Sequence, residues 1–155
     1  MAMANIKRIL LAEDNENDVE LTLNALQKCR LSNEVEVVRD GAEALDYIYR
    51  RGKYSGRGDC LPCVILLDLK MPRVDGLEVL RQIKSDPALR HIPVVMLTSS
   101  REEKDLVLSY ELGVNAFVVK PVDFDQFLKA IRALGMFWAI VNEPPPANQK
   151  IEANL

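Results

Sequence analysis

A doubly wound α/β domain with a five-stranded parallel sheet is predicted by three features of this chain. Four short apolar runs, Ile9-Leu10-Leu11-Ala12, Val64-Ile65-Leu66-Leu67, Val94-Val95-Met96-Leu97 and Phe117-Val118-Val119, show no alternation and read as strands covered on both faces. Stretches with helical spacing separate them, as the crossovers between parallel strands require. A fifth run, residues 34–38, alternates charge with valine, as an edge strand with one wet face does.

Each element follows from local signals. The first strand precedes a helix over residues 17–29, with Val19, Leu23 and Leu26 on one face and Asn17 with Glu20 as a capping pair. After the edge strand, residues 41–51 form a second helix with Ala44, Leu45 and Ile48 inward. Residues 51–59, rich in glycine and charge, are a loop. The third strand, residues 63–67, leads through Met71-Pro72 to a helix over 75–85 with Leu77, Leu80 and Ile83 inward. The fourth leads to a helix over 101–112 closed by Gly113. The fifth leads to a helix over 123–141, stopped by Asn142-Glu143-Pro144-Pro145-Pro146. The chain therefore divides into one domain, 1–142, and a proline-containing tail, 143–155.

Composition narrows the function classes. The 155 residues carry a formal charge of −3 with both signs interspersed, so no global basic field points to nucleic acid. No apolar stretch approaches the roughly 20 residues of a membrane span, and the first residues lack a signal-peptide pattern. Three cysteines, an odd number, fit a reducing compartment and a cytoplasmic protein. Cys60 and Cys63 have redox or metal spacing but precede a strand rather than a helix, and His91 is the single histidine to complete a zinc site.

The strand ends carry the chemistry. The four apolar runs finish on Glu13-Asp14, Asp68, Thr98 and Lys120. In an open parallel sheet the carboxyl ends share one edge, where ligands bind. If the order is 2-1-3-4-5, strands one and three are neighbours about 4.8 Å apart, and Asp14 and Asp68 then face each other beside Glu13. Carboxylates roughly 5 Å apart repel by about 3 kcal/mol per pair at an effective dielectric near 20. Three such pairs approach the whole stability of a domain, so protonation, a lysine or a divalent cation must relieve them. Lys120, about 10 Å from strand three on this spacing, can reach across much of the gap. A hard cation with oxygen ligands fits, and Mg²⁺ prefers one or two carboxylates plus phosphate oxygens and water. An aspartate can accept a phosphoryl group, with metal and ammonium neutralising charge. Asp68, alone at the end of a central strand, is the better nucleophile; Thr98 can hydrogen-bond a phosphoryl oxygen.

Leu11-Ala12-Glu13-Asp14-Asn15, Leu66-Leu67-Asp68-Leu69-Lys70-Met71-Pro72 with Asp75-Gly76, Leu97-Thr98-Ser99 and Lys120-Pro121 together resemble a response-regulator receiver domain, over roughly residues 6–141. The resemblance implies the flavodoxin-like receiver fold with order 2-1-3-4-5. It implies Asp68 as phosphoacceptor and Glu13 and Asp14 as acidic metal-site residues, with the Lys70 backbone carbonyl as a further Mg²⁺ ligand. It also implies Thr98 and Phe117 as a switch pair, and Lys120 as phosphoryl partner ahead of a cis bond to Pro121. Glu13 departs from the aspartate of many receivers.

The insertion over residues 50–62, the segment Pro121-Val122-Asp123-Phe124-Asp125-Gln126-Phe127 and the Phe137-Trp138 ending are similar to single-domain regulators paired with phytochrome histidine kinases. The expected function is thus phosphoryl acceptance from such a kinase, as a switch rather than an enzyme. Aromatic residues crowd the last helix, so Phe137, Trp138 and Val141 are the expected homodimer interface. Two other classes compete. A metal-dependent aspartyl-phosphate phosphohydrolase often has a second acid where Lys70 stands, and a phosphorylation-independent adaptor does not need all five chemical positions filled.

Overall fold

The computed structural model describes residues 8–28, 34–58, 61–114 and 116–133. Five strands, β1 (Arg8–Ala12), β2 (Glu34–Val38), β3 (Val64–Asp68), β4 (Val94–Thr98) and β5 (Ala116–Val119), alternate with five helices. The helices are α1 (Glu16–Lys28), α2 (Gly41–Tyr49), α3 (Gly76–Ser85), α4 (Arg101–Ser109) and α5 (Phe124–Ala133). The strands form one parallel sheet in the order β2-β1-β3-β4-β5. Among the described residues no helix is long and apolar enough to cross a membrane.

The pleat sorts side chains into two cores. Ile9, Leu11, Val64, Leu66, Val95, Leu97 and Val118 pack with α1 and α5 on one face. Leu10, Ala12, Ile65, Leu67, Val94 and Met96 pack with α2, α3 and α4 on the other. Strands β3 and β4 are buried throughout, and β1 is buried from Ile9 onward, with Arg8 at its start partly exposed. The charge alternation of β2 gives a graded rather than alternating burial, from exposed Glu34 to buried Val38. The fourth apolar run differs from expectation. As the second edge strand β5 alternates, with Val119 exposed and Phe117 half-buried, because α5 and α4 cover it only partly.

All five helices begin at the edge where the strands end, and polar side chains there cap them. Asn15, Asp40, Asp75, Ser100 and Asp123 accept from the N–H groups of Asp18, Glu43, Glu78, Glu103 and Gln126 at 2.7–3.2 Å. Each cap satisfies an orphan donor and aims a helix's positive end at the same rim. The cap of α1 is therefore Asn15, not the expected Asn17, which falls inside the first turn.

Other boundaries shift for backbone reasons. The second helix stops at Tyr49 because Arg50 turns left-handed at φ 57°, and Arg57 then donates to the Tyr47 carbonyl and stacks on its ring at 4.2 Å. The loop beyond holds a 3₁₀ turn, Gly52–Tyr54, whose Tyr54 hydroxyl donates to Glu43 at 2.8 Å. The fourth helix ends at Ser109, three residues short of expectation. Glu111 already takes φ 52°, while Gly113, at φ 82°, serves a later turn.

Two glycines hold the loop after β3. A Cβ on Gly76 would lie 2.1 Å from the Asp68 carbonyl oxygen, and one on Gly41 would lie 1.8 Å from that of Val74. Both obstacles are backbone, so neither can yield cheaply. We expect Gly76→Ala and Gly41→Ala each to lower unfolding free energy by about 2–4 kcal/mol. Gly56→Ala, with open space around it, should change it by less than about 0.5 kcal/mol in the same urea titration.

Candidate functional site

Continuing the pleat beyond the strands sets the site. Leu11, Leu66 and Val118 face the α1–α5 layer. Two residues on, the same parity gives Glu13, Asp68 and Lys120. Backbone bonds extend the ladder past each strand end. The N–H of Glu13 donates to Val38, that of Leu69 to Leu97, and that of Lys120 to Thr98, at 2.9, 3.2 and 2.7 Å. Each side chain is therefore held from its own backbone. The Lys120–Pro121 bond is cis, as the resemblance implied.

The Lys120 ammonium is the meeting point. Its Nζ lies 2.8 Å from Glu13 Oε1, 2.9 Å from Asp68 Oδ1 and 3.0 Å from Asp18 Oδ2. Glu13 is fully buried, Asp68 nearly so, and the lysine is 13% exposed at its side chain. The estimated gap between strands three and five is thus bridged completely. Asp18 is the partner that reading the strand ends missed. It sits one helical turn after Asp14, so its place on the first turn of α1 was the available signal.

Burial and charge pull the acids in opposite directions. Desolvation raises the Glu13 carboxyl to about 7, against the pull of the adjacent Lys120 ammonium and with the Asp68 charge adding to the rise. Desolvation likewise raises Asp68 above the ordinary carboxylate range, again opposed by Lys120 and helped by the Asp14 charge. Lys120 is raised, because its three carboxylate partners outweigh its own desolvation. One ammonium does not fully compensate two buried carboxylates and their neighbour.

A divalent cation fits that deficit. Ligand atoms of Glu13, Asp14 and Asp68 lie within 4.8 Å of one another, with Asp14 open to solvent. Glu13 Oε1 is buried with the ammonium close by but no donor in hydrogen-bonding geometry, so it has acceptor capacity to spare. An all-oxygen set with one exposed member suits a hard cation that keeps water ligands.

Thr98 reaches the same rim on the other face, in line with Met96. Its side chain is fully buried, and among the described residues Oγ1 has no hydrogen-bond partner. Phe117 shares that face, half-buried, with the Lys104 ammonium 5.4 Å from its ring centre. The structure therefore gathers Glu13, Asp14, Asp68 and Lys120 into one cluster and leaves Thr98 unengaged beside it. Lys70 is exposed, and its ammonium pairs at 3.2 Å with Glu103, whose other oxygen accepts from the Ser99 N–H. Glu103, which ties the loop after β3 to the start of α4, was not singled out in the sequence. Phe137, Trp138 and Val141 lie outside the described residues, as do Cys29 and Cys60.

Known proteins share this architecture. The bacteriophytochrome response regulator RtBRR is 62% identical, with a TM-score of 0.84 over 96% of this chain and 90% of that one. The bacteriophytochrome response regulator AtBRR is 67% identical, with a TM-score of 0.83 over 89% and 99% of the two chains. Response regulator Rcp1 of Synechocystis sp. is 39% identical over 132 residues, 85% of this chain and 88% of that protein. The crystal structure of its Mn²⁺-bound form aligns with a TM-score of 0.71 at 38% identity, over 91% and 99% of the chains. The family model for the response regulator receiver domain matches residues 9–132, from the second residue of β1 into the last turn of α5. On that span this chain belongs to the response regulator receiver domain family.

Proposed function

We propose that Asp68 accepts a phosphoryl group from a partner histidine kinase, and that the chain acts as a switch rather than an enzyme with a separate substrate. The observation that carries this reading is the Asp68 carboxylate held 2.9 Å from the Lys120 ammonium inside the acidic cluster. In the transfer, an Asp68 oxygen forms a bond to phosphorus as the bond to the donor imidazole breaks. The imidazole leaves with the electron pair. The carboxylate form is required, and Lys120 opposes the burial that disfavours it. Mg²⁺, held by Asp14, Asp68 and the Lys70 carbonyl with Glu13 beside it, would neutralise charge on the transferring group. Thr98 Oγ1, buried and unpartnered, offers a hydrogen bond to a phosphoryl oxygen. Phe117, half-buried on the same face of the sheet, lines a cavity with Lys104 and Gln126 into which its ring could move.

The names of the similar regulators support a phytochrome-type kinase as donor. Output then passes through association with a second copy or another protein. The Lys70–Glu103 pair supports a link from the phosphorylation loop to α4. Such links bias bistable surfaces.

Two measurements test this reading. A small acyl-phosphate donor with Mg²⁺ should add one phosphoryl group by intact mass, and Asp68→Asn should add none. Undiminished labelling of the variant assigns the acceptor elsewhere. The second concerns the cation. Glu13, raised to about 7 in the folded protein from 4.5, favours the metal-free fold below pH 4.5, a contribution lost as pH climbs through about 7. Cation binding must expel that proton, so Mg²⁺ affinity should rise about tenfold from pH 6 to pH 8, then level off. Calorimetry that finds the same affinity at both values shows Glu13 already ionised.

A further inference from the structure

We propose that Asp18 is an internal stand-in for the phosphoryl group. Its carboxylate occupies, in the unphosphorylated protein, the donor of Lys120 that a phosphoryl oxygen on Asp68 takes. The inference rests on Asp68 being the phosphoacceptor and gives Asp18 the part of a positioning residue acting through Lys120.

An ammonium has three donors. The carboxylates of Glu13, Asp68 and Asp18 crowd it at 2.8, 2.9 and 3.0 Å, and its hydrogen bond goes to Asp18. A phosphoryl oxygen can approach Lys120 only if one partner gives way. Glu13 is fully buried at the end of β1, and Asp68 is the group that carries the phosphoryl. Asp18 differs from both. It comes from a helix rather than a strand end, and its side chain is 26% exposed. Its backbone is tied independently, by its N–H to Asn15 Oδ1 and by its carbonyl to the Thr22 hydroxyl. Among the described residues its carboxylate has Lys120 as its hydrogen-bonding partner. It can therefore rotate into water without disturbing the helix.

Two effects of Asp18 act in the same direction on an anion. Its contact competes for the ammonium, and its charge repels a phosphoryl dianion. On a cation at the neighbouring acids the charge acts the other way. Asp18 thus weakens phosphoryl binding while it helps, or leaves unchanged, binding of the metal. A residue that only stabilised the first turn of α1 would not divide the two ligands by sign.

The test uses beryllium trifluoride, a non-covalent phosphoryl analogue, titrated at saturating Mg²⁺ and followed by fluorine NMR. Asp18→Asn should bind the anion about threefold or more tightly than the wild type, the scale of a half-exposed ion pair. It should bind Mg²⁺ alone no more tightly than the wild type. Asp18→Glu should restore the wild-type anion affinity. Anion binding by Asp18→Asn at or below the wild-type level overturns the role of Asp18, as does an Asp18→Glu value that stays with the asparagine variant. Failure of the wild type itself to bind the anion overturns the phosphoacceptor reading and this inference with it.

Discussion

Unlike charges inside a protein must nearly balance, and here the balance rests on one ammonium. Three strands end in acids or a lysine because the doubly wound topology brings those ends to one rim. Two of the acids are buried there, and burial disfavours their charged forms. Lys120 offsets part of that penalty by touching Glu13, Asp68 and Asp18 together. The remainder is left uncompensated, and this is what makes the cluster receptive to a cation. Sites of this kind trade stability for chemistry.

The rest of the fold serves to hold that arrangement still. Central strands buried on both faces fix the backbone from which Glu13 and Asp68 project. Gly76 lets the start of α3 close against the Asp68 carbonyl, donating its N–H to Leu69 at 2.7 Å. Five capped helix ends around the rim add partial positive charge near the acids. The contact from Lys70 to Glu103, and from Glu103 to the Ser99 N–H, joins the loop after β3 to the start of α4. Lys70 is largely exposed there, so the pair is worth no more than about 1 kcal/mol and is easily exchanged.

The sheet was legible because it depends on apolar runs, and the gathering of Glu13, Asp14, Asp68 and Lys120 followed from the polar residues directly after them once the strand order implied by the resemblance was taken. Periodicity says where strands lie, and topology then says which ends meet. Partners supplied by helices were not legible in this way. Asp18 and Glu103 occupy ordinary acidic positions in first turns, where solvation or a helix dipole accounts for them equally well. The cap at Asn15 was hidden because Asn17 offered the same chemistry two residues on. The end of α4 was misplaced because Gly113 gives a stronger stop signal than Glu111, although Glu111 is where the backbone turns. Thr98 was read onto the correct rim, but its face is set by the pleat of β4, opposite in parity to Asp68.

If buried negative charge at this rim is held against its own preference, removing one such charge must stabilise the protein when no cation is present. Urea unfolding of Asp68→Asn and wild type, both metal-free at pH 8, measures this directly. The variant should be more stable by about 1–2 kcal/mol, with the advantage shrinking as Mg²⁺ is added. A metal-free variant less stable than the wild type would mean that the ion pair with Lys120 more than repays burial, and would contradict the account.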